Sequence, residues 1–114
     1  MKNKIIIAAI SIVVLIATAF VNPPKKGTVT FKVSGNCSMC KERIESALDK
    51  PGITKAIWDV NSKMLTVTFN AKKYQEIQLH NLVATAGHDT EKVKANEQVY
   101  ADLPECCQYR TTNK

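Results

Sequence analysis

Three short runs with an apolar residue at every second position, interleaved with two stretches of helical spacing, constrain this chain more than any other feature. Thr28–Ser34 places Val29, Phe31 and Val33 on one face, the pattern of a half-buried strand. Ser38–Asp49 then has Ile44 and Leu48 spaced for one buried helix face, with Ala47 beside them. Glu42 and Glu45 sit in its early turns, where the helix dipole favours acids, and Pro51-Gly52 stops it. Ile53–Val60 alternates through Ala56, Trp58 and Val60, and Leu65, Val67 and Phe69 alternate again after the turn Asn61-Ser62-Lys63. So short a loop makes these two strands an antiparallel hairpin. Lys72–Ala86 predicts a second helix with Ile77, Leu79, Leu82, Val83 and Ala86 available to the core, and with His80 on the surface. Gly87 stands where a helix end wants a left-handed residue. His88–Val93 is polar and predicts a weak fourth strand at a sheet edge. The order strand, helix, strand, strand, helix, strand is the split βαβ arrangement, an α+β ferredoxin-like sandwich with two helices on one face of an antiparallel sheet.

Residues 28–93 suffice for that unit, so the rest of the 114 residues needs a separate account. Ile5–Val21 runs for 17 residues without a charge, after Lys2 and Lys4 and before Asn22-Pro23-Pro24-Lys25-Lys26. A basic start, an apolar core and the A-x-A pattern of Ala17-Thr18-Ala19 predict a signal peptide over residues 1–21. The run also reaches the lower limit of a membrane span, so an uncleaved signal anchor is the other reading. Either places the remainder outside the cytoplasm, in the periplasm or cell envelope, with membrane contact only through the N-terminal segment. Residues 22–27 read as a linker, because two prolines and a glycine break a helix. The formal charge of +6 is spread along the chain with no basic stripe, which argues against a nucleic-acid partner. A chain this short also excludes a large multi-domain enzyme.

Four cysteines fall in two close pairs. Cys37-Ser38-Met39-Cys40 lies where the first strand gives way to the first helix. That spacing lets both sulfurs converge, and the free N–H groups of a helix start favour thiolate over thiol. Two such thiolates suit a soft cation, Cu(I), or Zn(II) with added ligands, with Lys41 and Arg43 nearby to offset charge. A thioredoxin-like redox motif and a structural disulfide are the competing readings; Ser34-Gly35-Asn36 stands where the redox motif has its Trp. The tail, residues 94–114, exceeds what the sheet needs. Asn96 is placed to cap a short helix through Leu103, ended by Pro104, with Val99, Tyr100 and Leu103 available for packing. Cys106 and Cys107 then admit three readings: extra thiolate ligands, a vicinal disulfide acting as a redox switch, or incidental surface thiols.

A C-x-x-C between strand one and helix one of such a unit resembles the heavy-metal-associated domain family. That family includes copper chaperones, amino-terminal modules of metal-pumping ATPases and exported mercury-binding proteins. The likeness extends over Pro51-Gly52-Ile53, Leu65-Thr66-Val67-Thr68-Phe69 and Ala86-Gly87-His88-Asp89. It implies that Cys37 and Cys40 are metal ligands. Two positions depart from the pattern. Gly35 stands where the family usually has Met, and His88 stands near a Tyr or Lys position. His88 is therefore a candidate third ligand or hydrogen-bond donor, against the reading of a solvated loop histidine. The resemblance implies a binding protein rather than an enzyme: an envelope metallochaperone or scavenger that passes its ion by thiolate exchange. Cu(I) comes first, with Hg(II), Zn(II) and Cd(II) open. The expected partner is a metal-transporting membrane protein or another envelope metal-binding protein. The alternative is a small thiol–disulfide oxidoreductase of the periplasm, with Cys106 and Cys107 as a second couple. Metal sensing is a weaker third reading.

Overall fold

The structure is a computed structural model that describes residues 26–111. The signal or anchor expected over residues 1–21 lies outside the described residues. Among the described residues no helix is long and apolar enough to cross a membrane.

The alternating runs become strands β1 (Lys26–Lys32), β2 (Ile53–Trp58) and β3 (Met64–Asn70) of one antiparallel sheet, ordered β1-β3-β2. Strand β1 therefore begins inside the predicted linker. Register puts Val29 opposite Val67, and both Phe31 and Trp58 opposite Leu65. One face of the sheet is thus apolar. Its other face carries threonines, which pair across strands through Thr28–Thr68 and Thr30–Thr66 hydroxyl contacts at 3.4 and 3.2 Å.

Two helices cover the apolar face. Helix α1 (Ser38–Ala47) turns Cys40 and Ile44 inward, and Leu48 at its end continues the stripe one turn on. Helix α2 (Glu76–Thr85) starts later than its apolar pattern suggests. Asn70 accepts bonds from the amides of Lys73 and Tyr74, which closes a turn first. The side chain of Gln78 then reaches back to the Gln75 amide at 2.6 Å.

The buried stripe of α2 differs from the sequence expectation. Leu79, His80, Val83 and Ala84 face inward, while Ile77 is exposed. Ile77 and Leu79 lie about 200° apart around a helix, so both cannot face one core. His80, expected at the surface, is fully buried. Its ring stacks on Phe31 at 3.7 Å, and its two nitrogens bond Thr90 and Glu76 at 2.6 and 3.2 Å. A buried polar ring is tolerated when both nitrogens are satisfied.

The predicted fourth strand is reduced to a single bridge, Val33 with Thr90. Ser34 donates to Asp89 and Glu91 to Lys32, then the chain turns away. The Thr90 hydroxyl oxygen accepts from the amides of Lys92 and Val93, and the Thr90 amide donates to Val93. That local turn competes with the ladder and ends it after one pair.

Beyond it the tail folds onto the unit. Asn96 caps helix α3 (Glu97–Ala101) by accepting from Gln98 and Val99, as its position predicts. Tyr100 and Leu103 are buried. Gly87 has a φ of +106°, and a Cβ there would meet the Leu103 side chain at 2.8 Å. Two short 3-10 turns follow, Glu105–Cys107 and Tyr109–Thr111, and the first packs against α1.

Candidate metal centre

The loop that holds the first cysteine pair rests on Trp58. Its ring is fully buried, and its Nε1 donates to the carbonyls of Val33 and Lys63 at 3.1 and 3.2 Å. A Cβ on Gly35 would stand 2.9 Å from that ring and 3.1 Å from the Cys40 Cβ. Gly35 is therefore required by the indole, which supports the loop where a larger residue would otherwise pack. Nothing in the residue pattern alone showed that Gly35 and Trp58 compensate each other.

Cys37 is the N-cap of α1 in extended conformation, and Cys40 follows within the first turn. Their sulfurs lie 3.7 Å apart, and the Asn36 amide donates to the Cys40 sulfur at 3.3 Å. The Cys40 amide, seconded by the Cys40 thiol and the Met39 amide, holds the Cys37 thiol below its ordinary range. Lys41 contributes little: its ammonium is engaged by Glu45 and the Trp58 carbonyl.

The tail brings Cys107 to this pair. The sulfurs of Cys37, Cys40 and Cys107 all lie within 4.8 Å of one another. Cys107 and Cys40 are fully buried, and Cys37 is half-buried. Burial, then contact with Cys40, pushes the Cys107 thiol far up from its ordinary range. A soft ion with metal–sulfur bonds of about 2.3 Å, the zinc–thiolate value, holds three sulfurs about 4.0 Å apart when centred among them. The three cysteines fit that spacing.

Cys106 does not join them. It is exposed, its sulfur 3.9 Å from Cys107 and 3.4 Å from the Met39 sulfur. All four cysteines are free thiols, so the vicinal disulfide is not formed in this structure. The Cys106 carbonyl accepts from the Cys37 thiol at 3.6 Å and from the Asn36 side chain at 3.5 Å, which ties tail to loop.

His88 is neither a solvated histidine nor a member of the sulfur group. It is fully buried, and its Nδ1 donates to the Ser34 carbonyl at 2.8 Å. The proton therefore sits on Nδ1, and Nε2 is a buried lone pair without a partner among the described residues. Burial pulls its pKa down, so the ring is neutral.

A clamp that residue patterns did not announce fixes the tail. Arg110 forks onto Asp89, Nε to one oxygen at 3.0 Å and Nη2 to the other at 2.6 Å, and also donates to the Ala95 carbonyl. Its guanidinium lies 4.4 Å over the Tyr100 ring, whose hydroxyl accepts from the Arg110 amide. The Tyr109 hydroxyl donates to the Gly87 carbonyl and accepts from the Asp89 amide, and its ring stacks on His88 at 5.5 Å. Burial would raise the Asp89 carboxyl, but Arg110 and the Ala95 amide outweigh it and hold it low.

Comparison with family models and with curated protein sequences gives no match. Solved structures do match. A ZiaAN sub mutant, determined in solution, is 31% identical, with 58% of this chain covering 96% of it at a TM-score of 0.51. The CopZ metallochaperone is 26% identical, with 56% of this chain covering 98% of it at a TM-score of 0.54. The chain belongs to the heavy-metal-associated family. The N-terminal domain of a potential copper-translocating P-type ATPase from Bacillus subtilis, in its Cu(I)-loaded state, is 26% identical. There 58% of this chain covers 85% of the domain at a TM-score of 0.54. Little more than half of this chain thus spans nearly the whole of a heavy-metal-associated domain. The neighbours are metal-binding domains, and the cysteines here offer a soft ion its donors.

Proposed function

We propose that the protein is an envelope metallochaperone or scavenger that binds one Cu(I) ion through Cys37, Cys40 and Cys107. The convergence of three sulfurs within 4.8 Å carries this reading. Soft thiolates select Cu(I) among first-row ions. A structural Zn(II) site takes four ligands, and the described residues bring only these three donors together. Hg(II) and Cd(II) are the remaining soft competitors. Residues 1–21 export or anchor the chain, residues 28–93 hold the ion, and residues 94–114 supply the third sulfur. The resemblance to a copper-translocating ATPase domain supports a metal-transporting membrane protein as partner. Delivery proceeds by ligand exchange, because an incoming thiolate can displace one sulfur while two still hold the ion.

A low thiol at Cys37, 3.7 Å from Cys40, also suits thiol–disulfide exchange, the second reading. One experiment separates them. Anaerobic Cu(I) titration of the reduced full chain against a competing chelator is followed by X-ray absorption of the copper. Expected are one tight equivalent, three sulfur neighbours, and two in Cys107→Ser. Binding unaffected by Cys37→Ser with Cys40→Ser overturns the proposal. Insulin-disulfide turnover without tight copper binding establishes the oxidoreductase instead.

A further inference from the structure

Outside the three clustered cysteines, two further sulfurs touch. Cys106 is exposed and directs its thiol to the Met39 sulfur at 3.4 Å. Met39 is one of only three large apolar side chains that stand well exposed among the described residues, at 46%. An open cleft lined by Glu42, Arg43, Ser46 and Pro104 runs beside it. A thioether projected into solvent from the middle of a C-x-x-C contributes nothing to the core.

We infer that Cys106 and Met39 form a second, solvent-facing soft-metal site that passes Cu(I) to and from the buried sulfur trio. This rests on the reading of Cys37, Cys40 and Cys107 as the ion's seat. The distances make a continuous path. Met39 to Cys106 is 3.4 Å, Cys106 to Cys107 is 3.9 Å, and Cys107 lies within 4.8 Å of Cys37 and Cys40. Two metal–sulfur bonds end to end span about 4.6 Å, using the zinc–thiolate length. Met39 and Cys106 therefore need to part by about 1.2 Å, and Cys106 and Cys107 by about 0.7 Å, to hold an ion in line between them, a shift the exposed Cys106 and Met39 side chains can make. Thioether and thiolate are both soft, so Cu(I) accepts either.

The steps balance without redox chemistry. An incoming Cu(I) bonds to Met39 Sδ and Cys106 Sγ, and the Cys106 thiol gives its proton to solvent. A bond to Cys107 forms as that to Met39 breaks. Bonds to Cys37 and Cys40 form as that to Cys106 breaks, and Cys106 takes a proton back. Every thiol that binds releases its proton to solvent. Copper remains in the +1 state, and departure reverses the sequence. At no stage does the ion have fewer than two sulfurs, which keeps the barrier of each exchange low. The Met39 donor is the weakest of the set, as suits a point of entry and exit.

The test uses the full chain in a mild detergent, reduced and anaerobic, labelled with 13C at the methionine methyls. Ag(I) serves as a soft monovalent probe that does not cycle redox state. The first equivalent is expected to leave the Met39 methyl in place, and the second to shift it, with Met64 unmoved throughout. Met39→Leu and Cys106→Ser are expected to lose the second equivalent and keep the first. Release of Cu(I) from either variant to an external chelator is expected to slow, because the exit donors are gone. A second equivalent that leaves Met39 unmoved, or variants that release copper as fast as the natural chain, overturn the relay. First-equivalent binding remains intact in both of those results. Absence of first-equivalent binding instead removes the seat, and the relay with it.

Discussion

Cys107 and the first cysteine pair reach the same place by opposite means. Cys37 and Cys40 are brought together by three residues of local chain, a strand end feeding a helix start. Cys107 arrives from 67 positions beyond Cys40, on a tail seated by the buried Tyr100 and Leu103 and pinned to Asp89 and Gly87 by Arg110 and Tyr109. The first pair inherits its geometry from the platform. The tail sulfur owes its geometry to a polar clamp. A locally built ligand set is preformed whenever the domain is folded, whereas a clamped one is expected to loosen when its polar bonds are cut, though Tyr100, Leu103 and Cys107 share the core. That separation divides the site into a floor, Cys37 and Cys40 on the platform, and a lid, the clamped tail.

Removing the floor should do most damage. Trp58→Ala leaves a large cavity under the loop and is expected to cost about 3–5 kcal/mol of stability, the range for burying nothing in place of a large aromatic. Thermal melting of the metal-free chain measures it. Gly35 lies between the indole and the Cys40 Cβ, so copper affinity should fall along with the melting temperature. Trp58→Phe should recover part of the packing but not the bonds to Val33 and Lys63. If Trp58→Ala melts lower but binds copper as before, the loop is not held from beneath, and the contrast between floor and lid loses its basis.

The floor is legible in the sequence; of the lid, the extra-thiolate reading of the tail and the packing of Tyr100 and Leu103 are legible, and the clamp that fixes them is not. Alternation of Val29, Phe31, Leu65, Val67 and Phe69 announces the sheet because period two has one physical cause. The position of Cys37 and Cys40 follows from it. His80 was misplaced because a lone polar residue on a helix gives no sign of the Thr90 and Glu76 groups that satisfy it. Glu76 stands one turn back on the same helix, but Thr90 lies ten positions on, on another segment. The fourth strand was overread because Thr90 offers its own hydroxyl to the backbone, a choice propensity does not rank. The clamp was invisible for a related reason. Asp89 and Arg110 are 21 positions apart with no periodicity between them. Asn96 by contrast was readable as a cap, since its bonds go to its immediate neighbours.

Cutting the clamp should have the next largest effect and should spare the platform. Arg110→Ala removes both bonds to Asp89 and the cover over Tyr100. Copper affinity is expected to fall roughly 10–100-fold, the scale for losing groups that orient a ligand. The sulfur count seen by X-ray absorption should drop from three to two. Arg110→Lys should resemble Arg110→Ala more than the natural chain, because an ammonium cannot reproduce a two-bond fork. Melting should change far less than in Trp58→Ala. Three sulfurs retained in Arg110→Ala would mean that the tail seats itself by Leu103 and Tyr100 alone.

Acid provides the gentlest way to separate the two regions, and its sign follows from Asp89. Burial pushes that carboxyl up, yet Arg110 and the Ala95 amide together leave it below its ordinary value. A carboxyl in a released tail region titrates near its reference pKa of about 3.9. The released state therefore binds its proton first as pH falls, and protonation pulls the equilibrium toward release. The contribution of the clamp is complete above about pH 4 and is lost as pH drops through the native value of Asp89. Glu76 and Asp59 are also held low, Glu76 first by His80 and then by Lys92, and Asp59 first by the Ser62 hydroxyl. Both lie at the surface of the platform, where screening leaves such pairs little weight. The amide and side-chain NMR signals of Tyr109 and Arg110 should therefore lose their dispersion on acidification before those of Val67 and Phe31. Asp89→Asn should remove that early step while lowering tail order at neutral pH. Simultaneous loss of tail and sheet signals would show one cooperative unit, and the lid would then be no more removable than the floor.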